Sequence, residues 1–507
     1  MINRRIRWLG FVLMACFALL FLRLNNFQVR QASKLVSNPD NVTSQPDPFM
    51  LPRGDIYSSD GAILASSKRT SDSYGELRVY PAATATLFAG ITGYYSVAVG
   101  SATGLESEYD QFLTQHNSPA TTLGQLLTEH KTTDDITITV SVALQQAAET
   151  ALAGLTGAVV AIDPQTGAIL AMYGNPTFNP DLFSVHGGPN GESAFDAVTG
   201  SYNKLLSAPG NPLINYATAQ AKAPGSTFKV VDTSAIFDQA PQIANHYFNS
   251  VSSVPLPDTN GLTLSNFGDE SCGGTLAEVL LRSCDTAFAL VGQMLGPDKL
   301  YREASAFGFD SVPPIDLPAG EAAASNFPTP QAFAGDTPGL MKSAIGQQDV
   351  TATTLQMALV AAGIADNGVI MAPHLLNQIV DDEGNVVETY HPHPWRRATS
   401  AETAQTVRSY MLGVTEILGG TAYGMFPSYA FPPVAAKTGT AQINAQGCGT
   451  YNWLIATAPA GPGQTPTVAV AAIVPIPPGP SCHDVTGAQV AGPVVKAVMQ
   501  KALAMQQ

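Results

Sequence analysis

Charge is scarce in this chain. Of its 507 residues only 12% are Asp, Glu, Lys or Arg, and 39 acidic residues outnumber 24 basic ones, for a net charge of −15. No long basic patch follows the first 35 residues, so nucleic acid is not an expected partner. Histidine is sparse as well, at 8 residues. His391 and His393 lie in His-Pro-His-Pro-Trp with no Cys or carboxylate cluster beside them. They read as a solvated loop, and no metal site is expected. There is no internal repeat and no heptad run. What is present is apolar content of 45%, with 45 Gly and 37 Pro. That describes a folded, loop-rich protein rather than a disordered or coiled-coil one, with length enough for two or three domains.

The N-terminus carries a compartment signal. Arg4, Arg5 and Arg7 precede fifteen uncharged residues, Trp8 to Leu22, and Arg23 follows. Fifteen helical residues span about 22 Å against roughly 30 Å of hydrocarbon, so the flanking arginines must snorkel. A cleaved signal peptide is the competing reading. No Ala-x-Ala-like site follows Leu22, which favours an uncleaved anchor. The basic flank puts the N-terminus inside and the rest of the chain outside.

Past the anchor, residues 34 to 50 are polar and Pro-rich, a linker. Asp60-Gly61 between alternating residues signals a hairpin, and Arg78 to Tyr80 and Gly90 to Tyr95 continue a small β-rich region. Gly104 to Leu113 reads as a short helix, and this module ends near Asp134. Strands are expected at Ile136 to Val140, Gly157 to Asp163, Gly167 to Tyr173, Pro433 to Gln442, Tyr451 to Pro459 and Thr467 to Pro475. Helices are expected at Ser141 to Leu152, Thr227 to Ile236, Thr275 to Leu281, Thr353 to Ile364 and Val490 to Met505. Residues 174 to 222 read as loop-rich and 299 to 340 as irregular. An antiparallel sheet assembled from both ends of the domain, with helices early and late, is an α+β fold. Cys272, Cys284, Cys448 and Cys482 lie outside the anchor and allow three pairings. A hairpin of the last two strands would bring Cys448 and Cys482 to one end, so that bridge is expected.

Three short motifs carry chemistry. Ser226 and Lys229, in Pro-Gly-Ser-Thr-Phe-Lys, stand one helical turn apart. A serine is a weak nucleophile without a base, and a buried lysine with lowered pKa can be one. Ser283-Cys284-Asp285 offers a second hydroxyl, able to relay a proton to a leaving amine. Lys437-Thr438-Gly439-Thr440 begins a strand. A lysine with two hydroxyls on an edge strand suits a carboxylate, and the glycine lets a substrate backbone come close. The amides of Ser226 and Thr440 would make an oxyanion hole. Each triplet is common by itself. In this order behind a membrane anchor they are specific.

On these motifs the chain resembles a class B penicillin-binding protein, close to the short actinobacterial A type. The likeness extends to Arg53-Gly54 with Asp60-Gly61, Gly90 to Tyr95, Gly104-Leu105-Glu106, Pro212 to Ala217, Gly346-Gln347 and Ala352 to Ala358. It implies the penicillin-binding transpeptidase fold: an antiparallel sheet flanked by helices plus an all-helical part. The organisation implied is a cytoplasmic tail (1–7), an anchor (8–27), a linker (28–50), a pedestal or dimerisation-like module (51–134) and a transpeptidase domain (135–507). The resemblance further implies a peptidoglycan D,D-transpeptidase without cofactor. Ser226 attacks the penultimate D-Ala carbonyl of a pentapeptide stem and Lys229 takes its proton. Ser283 and Lys437 serve the leaving group, and Lys437, Thr438 and Thr440 face the terminal carboxylate beside Gly439. β-lactams would acylate Ser226, and a membrane polymerase would supply the glycan.

Three other readings share much of this pattern. A D,D-carboxypeptidase differs only in using water as acceptor. A penicillin-hydrolysing enzyme would want a Glu-x-x-Leu-Asn motif, which is missing, and no anchor. A largely non-catalytic division or elongation scaffold would not need Ser226, Lys229, Ser283 and Lys437. One position departs from the family: Asp285 stands where Asn is usual. A carboxylate only accepts hydrogen bonds and favours a charged Lys229, so altered β-lactam acylation is expected, against the plainer reading of a simple Asp285–Lys229 pair.

Overall fold

The computed structural model describes residues 48–117, 131–188, 191–443, 449–479 and 485–506, with Trp8, Met14, Cys16 and Phe17. The chain divides into two compact units, Met1–Leu51 and Pro52–Gln507. In the first, the described residues include a short 3-10 turn, Pro48–Met50. Most of the anchor expected at 8–27 lies outside the described residues. Among those described, no helix is long and apolar enough to cross a membrane.

The second unit begins with β1 (Ile56–Tyr57), β2 (Ile63–Arg69) and β3 (Glu76–Val79), then α1 (Ala85–Thr92) and α2 (Gly104–Glu108). The turn at Asp60-Gly61 joins β1 and β2 antiparallel, as the sequence signalled. Gly90 to Thr92, read as β-rich, are instead the end of α1, whose Leu87, Phe88 and Ile91 are buried. The chain continues with β4 (Asp135–Ile138), α3 (Val142–Leu152), β5 (Gly157–Ile162), β6 (Ile169–Asn175) and α4 (Ala194–Leu206). Helix α4 falls in the stretch expected to be loop-rich. Its buried face is thin, Ala194 and Val198 with Leu205 alongside, while its apolar Phe195, Tyr202 and Leu206 are exposed, so the sequence pattern shows no clear apolar stripe.

A 3-10 turn, Gly225–Phe228, runs directly into α5 (Lys229–Gln239). There follow β7 (Phe248–Val251), β8 (Cys272–Gly274), α6 (Leu276–Leu281), α7 (Asp285–Leu295) and α8 (Pro297–Ala306). Helix α8, with a further helix at Thr337–Ser343, orders parts of the stretch read as irregular. Next come α9 (Thr354–Ala365), β9 (Leu376–Val380), β10 (Val386–Thr389) and α10 (Ala401–Glu416). The chain closes with β11 (Ala435–Gln442), β12 (Thr450–Ala458), β13 (Val468–Ile476) and α11 (Gly487–Met505).

Two sheets organise these elements. The five-stranded sheet has the order β6-β5-β13-β12-β11 and is antiparallel throughout. Strand β13 is a continuous apolar run, Val-Ala-Val-Ala-Ala-Ile-Val, buried on both sides. Helices α11 and α3 cover one face, and α9 covers the other with α10 alongside. Every residue of α9 is buried, as expected of a helix apolar all round. This is the α+β architecture expected. The six-stranded sheet has the order β10-β9-β4-β1-β2-β3, so strands from both ends of the chain pair around β4. Strand β11, carrying Lys437 to Thr440, is the edge of the five-stranded sheet.

Candidate active site

The three motifs meet where the 3-10 turn, the α6–α7 junction and β11 converge. The approach of the turn to the strand depends on glycine. Gly225 has φ +53°, and a Cβ there would lie 2.8 Å from the Thr440 carbonyl oxygen. A Cβ on Gly439 would lie 2.6 Å from the Pro224 oxygen. Only hydrogen side chains allow backbones this close. Trp453 Nε1 on β12 donates to the Ala223 carbonyl at 2.9 Å and fixes the start of the turn. Ser226 is therefore in the 3-10 turn rather than in the α-helix expected from the sequence. Lys229 is the first residue of α5, and the two side chains meet on the same Asp285 oxygen.

Ser226 is 8% exposed, and its Oγ donates to Asp285 Oδ1 at 3.4 Å. The same carboxylate oxygen receives Lys229 Nζ at 2.6 Å. Lys229 Nζ also donates to the Ser283 carbonyl at 2.9 Å and lies 3.4 Å from Ser283 Oγ. Lys437 Nζ lies 2.7 Å from Ser283 Oγ and donates to the Thr438 carbonyl at 3.0 Å. Both lysines are fully buried. Burial lowers the Lys229 pKa, while Asp285 and then Asp232 pull it back up. Lys437 is pushed well below the ordinary lysine range, by burial first and by Lys229 second, with Asp285 opposing. The pairing of Asp285 with Lys229 is thus the short ion pair weighed from the sequence.

The junction that holds Ser283 and Asp285 is strained and is braced by a disulfide and by hydrogen bonds from Asn266. Ser283 has φ +63°, left-handed and uncommon for a non-glycine residue. Cys284 is bridged to Cys272 on β8, with Cα atoms 5.5 Å apart. Thr286 N donates to Asn266 Oδ1 at 2.9 Å, and Asn266 Nδ2 donates to the Val251 and Glu270 carbonyls. The Cys272–Cys284 bridge is not the one expected from strand geometry. Cys448 and Cys482, the expected pair, lie outside the described residues.

The substrate-facing residues divide. Thr438 Oγ1 lies 2.7 Å from Thr421 Oγ1, which the loop after α10 supplies. Thr440 Oγ1 accepts from Gly487 N at 3.1 Å, so that hydroxyl also serves the start of α11. Two residues near the motifs were missed in the sequence. Thr421 had no signal. Asp232 had one, a lone carboxyl three residues after Lys229 among Val230, Val231, Ala235 and Ile236. It is fully buried, and neither carboxyl oxygen has a hydrogen-bond partner.

The penicillin binding protein transpeptidase domain matches residues 157–500, and the penicillin binding protein A dimerisation domain matches residues 53–135. Peptidoglycan D,D-transpeptidase PbpA of Mycolicibacterium smegmatis is 34% identical over 517 residues, covering 99% of each chain. The protein of the same name from Mycobacterium tuberculosis is 33% identical over 518 residues, again covering 99% of each. Among solved structures, the penicillin G acyl-enzyme complex of penicillin-binding protein A from M. tuberculosis superposes with a TM-score of 0.76 at 31% identity. That match covers 89% of this chain and 100% of the other. With the transpeptidase match spanning more than half of the sequence and relatives aligned along nearly all of it, this chain belongs to the penicillin-binding protein transpeptidase family.

Proposed function

We propose that this chain crosslinks peptidoglycan stem peptides as a serine D,D-transpeptidase, with Ser226 as the nucleophile. The observation that carries the reading is the convergence of Ser226, Lys229, Ser283 and Lys437 in one buried cluster beside an edge strand. An extended stem peptide adds along β11, where Lys437, Thr438 and Thr440 meet its terminal carboxylate. Ser226 attacks the penultimate D-Ala carbonyl, and the amides of Ser226 and Thr440 receive the oxyanion. The serine proton leaves through the lysine and serine groups and ends on the departing D-Ala amine. The amine of a second stem then resolves the acyl-enzyme. A β-lactam takes the place of the stem and stops at the acyl-enzyme. The relatives' names and the acyl-enzyme complexes of the similar structures support this reading.

The same reading extends to placement in the cell. Residues 8–27 anchor the chain, the tail 1–7 stays inside, and residues 51–134 raise the domain 135–507 over the membrane toward its glycan polymerase partner. Arg4, Arg5, Arg7 and the uncharged Trp8 to Leu22 stretch support it. The central test uses the full chain in detergent with a fluorescent penicillin. A stable adduct mapped to Ser226 by mass spectrometry, and absent in Ser226→Ala, is expected. An adduct elsewhere, or none, sinks the assignment. Rapid loss of the adduct would favour a hydrolysing enzyme.

A further inference from the structure

The site's polar atoms form a single line. Ser226 Oγ stands 3.4 Å from Asp285 Oδ1, which stands 2.6 Å from Lys229 Nζ. Lys229 Nζ stands 3.4 Å from Ser283 Oγ, which stands 2.7 Å from Lys437 Nζ. Among the described residues the Ser226 hydroxyl has a single side-chain partner, and it is the carboxylate rather than either lysine. The two lysines differ in company. Lys229 shares a short ion pair with Asp285. Lys437 has a hydroxyl and a backbone carbonyl as partners, and no carboxylate within ion-pair distance among the described residues. An ammonium buried without a counter-charge is costly, whereas a buried amine is not.

We propose that Asp285 and Lys229 are the middle of a proton wire, and that neutral Lys437 is the group that finally takes the Ser226 proton. The inference rests on the serine reading above and assigns the base within it. The step balances as follows. The Ser226 Oγ–H bond breaks as Oγ bonds the substrate carbonyl carbon, and the proton passes to Asp285 Oδ1. Lys229 gives a proton to Ser283 Oγ, and the Ser283 hydroxyl proton passes to the lone pair of Lys437 Nζ. Asp285 then returns its proton to Lys229. The ion pair is restored, Lys437 carries one added proton, and the carbonyl oxygen carries the negative charge. When the C–N bond breaks, Lys437 gives that proton through Ser283 to the leaving nitrogen. The two 3.4 Å links shorten as substrate closes the site, as unliganded catalytic hydrogen bonds commonly do.

An amide in place of Asp285 cannot work in this line. It donates and accepts, but it does not hold a transferred proton between its two neighbours. The carboxylate is therefore a working part of this site. Titratable groups face the line from two helices: Asp232 and Lys229 from α5, and Asp285 from α7. The lowering of the Lys437 pKa by burial and by Lys229 is consistent with its standing neutral.

The test is the rate of acylation of the full chain in detergent by a fluorescent penicillin, followed across pH. With Lys437 already neutral, the wild-type rate is expected to be level from neutral pH upward. Asp285→Asn is expected to slow acylation at least tenfold without displacing the profile. Lys437→Arg puts a permanently charged group without an available lone pair in place of the neutral amine, and a loss on the order of a hundredfold is expected. The opposite pattern overturns the wire. If Lys229, held charged by Asp285, were the base, the wild-type rate would climb with pH. Asp285→Asn would then move the climb to lower pH and speed acylation near neutrality. The wild-type profile decides this even if a variant fails to fold. An adduct on Ser226 with a climbing profile rejects the wire alone, whereas no Ser226 adduct rejects the serine reading.

Discussion

Asp232 on α5 and Glu303 on α8 are buried carboxyls with no ion-pair partner among the described residues. Gln239 Nε2 donates to Glu303 Oε2 at 2.6 Å, and Oε1 has no partner. Burial raises the Glu303 pKa from 4.5 to about 8, and holds Asp232 well above the carboxylate range. Both are therefore neutral in the folded protein at pH values where the unfolded chain has released the protons. The folded state binds more protons across that window, so stability falls as pH rises through it. For Glu303 the contribution is present below its ordinary value and lost as pH climbs to about 8. Its size is on the order of a few kcal/mol. Thermal melts of Glu303→Gln are expected to decline less than wild type between pH 5 and pH 8, roughly the window the shift defines. Equal declines in the two proteins would show that Glu303 is not the titrating group.

At the scale of elements, the site exists because a turn, a helix junction and a strand edge are held in register by few residues. The α6–α7 junction is the most strained of the three, with Ser283 in a left-handed conformation that costs roughly 1–3 kcal/mol in a non-glycine residue. The Cys272–Cys284 bridge offsets that cost by tying the junction to β8 across 12 residues of sequence. A loop of about this length contributes up to about 3 kcal/mol in the chain-entropy account. The paired Cys272→Ser, Cys284→Ser variant is expected to melt lower and to acylate more slowly, because Ser283 and Asp285 lose their brace. A lower melting temperature with an unchanged acylation rate would reduce the bridge to a general staple. This pairing was not legible in the sequence. Strand pairing argues for bridges across a hairpin, but here α6 reverses the chain and brings the two cysteines together locally. The motifs themselves were legible, since Ser226–Lys229 spacing and the Lys-Thr-Gly-Thr strand are local patterns.

For the whole molecule, legibility followed sequence separation. The strands and helices of the five-stranded sheet showed in apolar runs and caps, and β13 and α9 came close to their observed bounds. The six-stranded sheet did not show as one sheet: its β1–β2 hairpin was signalled locally, but the β4–β9 pairing joins residues more than 200 positions apart and no local signal encodes it. That sheet bears on where the protein can be cut. β4 lies at the start of the expected domain 135–507, yet it pairs with β1 on one side and β9 on the other. Two further ties cross the same boundary: Tyr109 Oη donates to Asp316 at 2.9 Å, and Gly104 N donates to Glu321 at 3.0 Å. Removing residues 51–134 would open the edge of β4 and leave the Asp316 and Glu321 carboxylates with lost donors. Exposed strand edges recruit other chains, and half-paired buried carboxylates are costly. A chain of residues 135–507 is therefore expected to associate in size-exclusion chromatography and to melt well below a chain of residues 52–507. The longer chain is expected to stay monodisperse and acylate at the full-length rate. A monodisperse 135–507 chain with an undiminished melting temperature would show instead that the catalytic domain stands alone and that the shared sheet is dispensable.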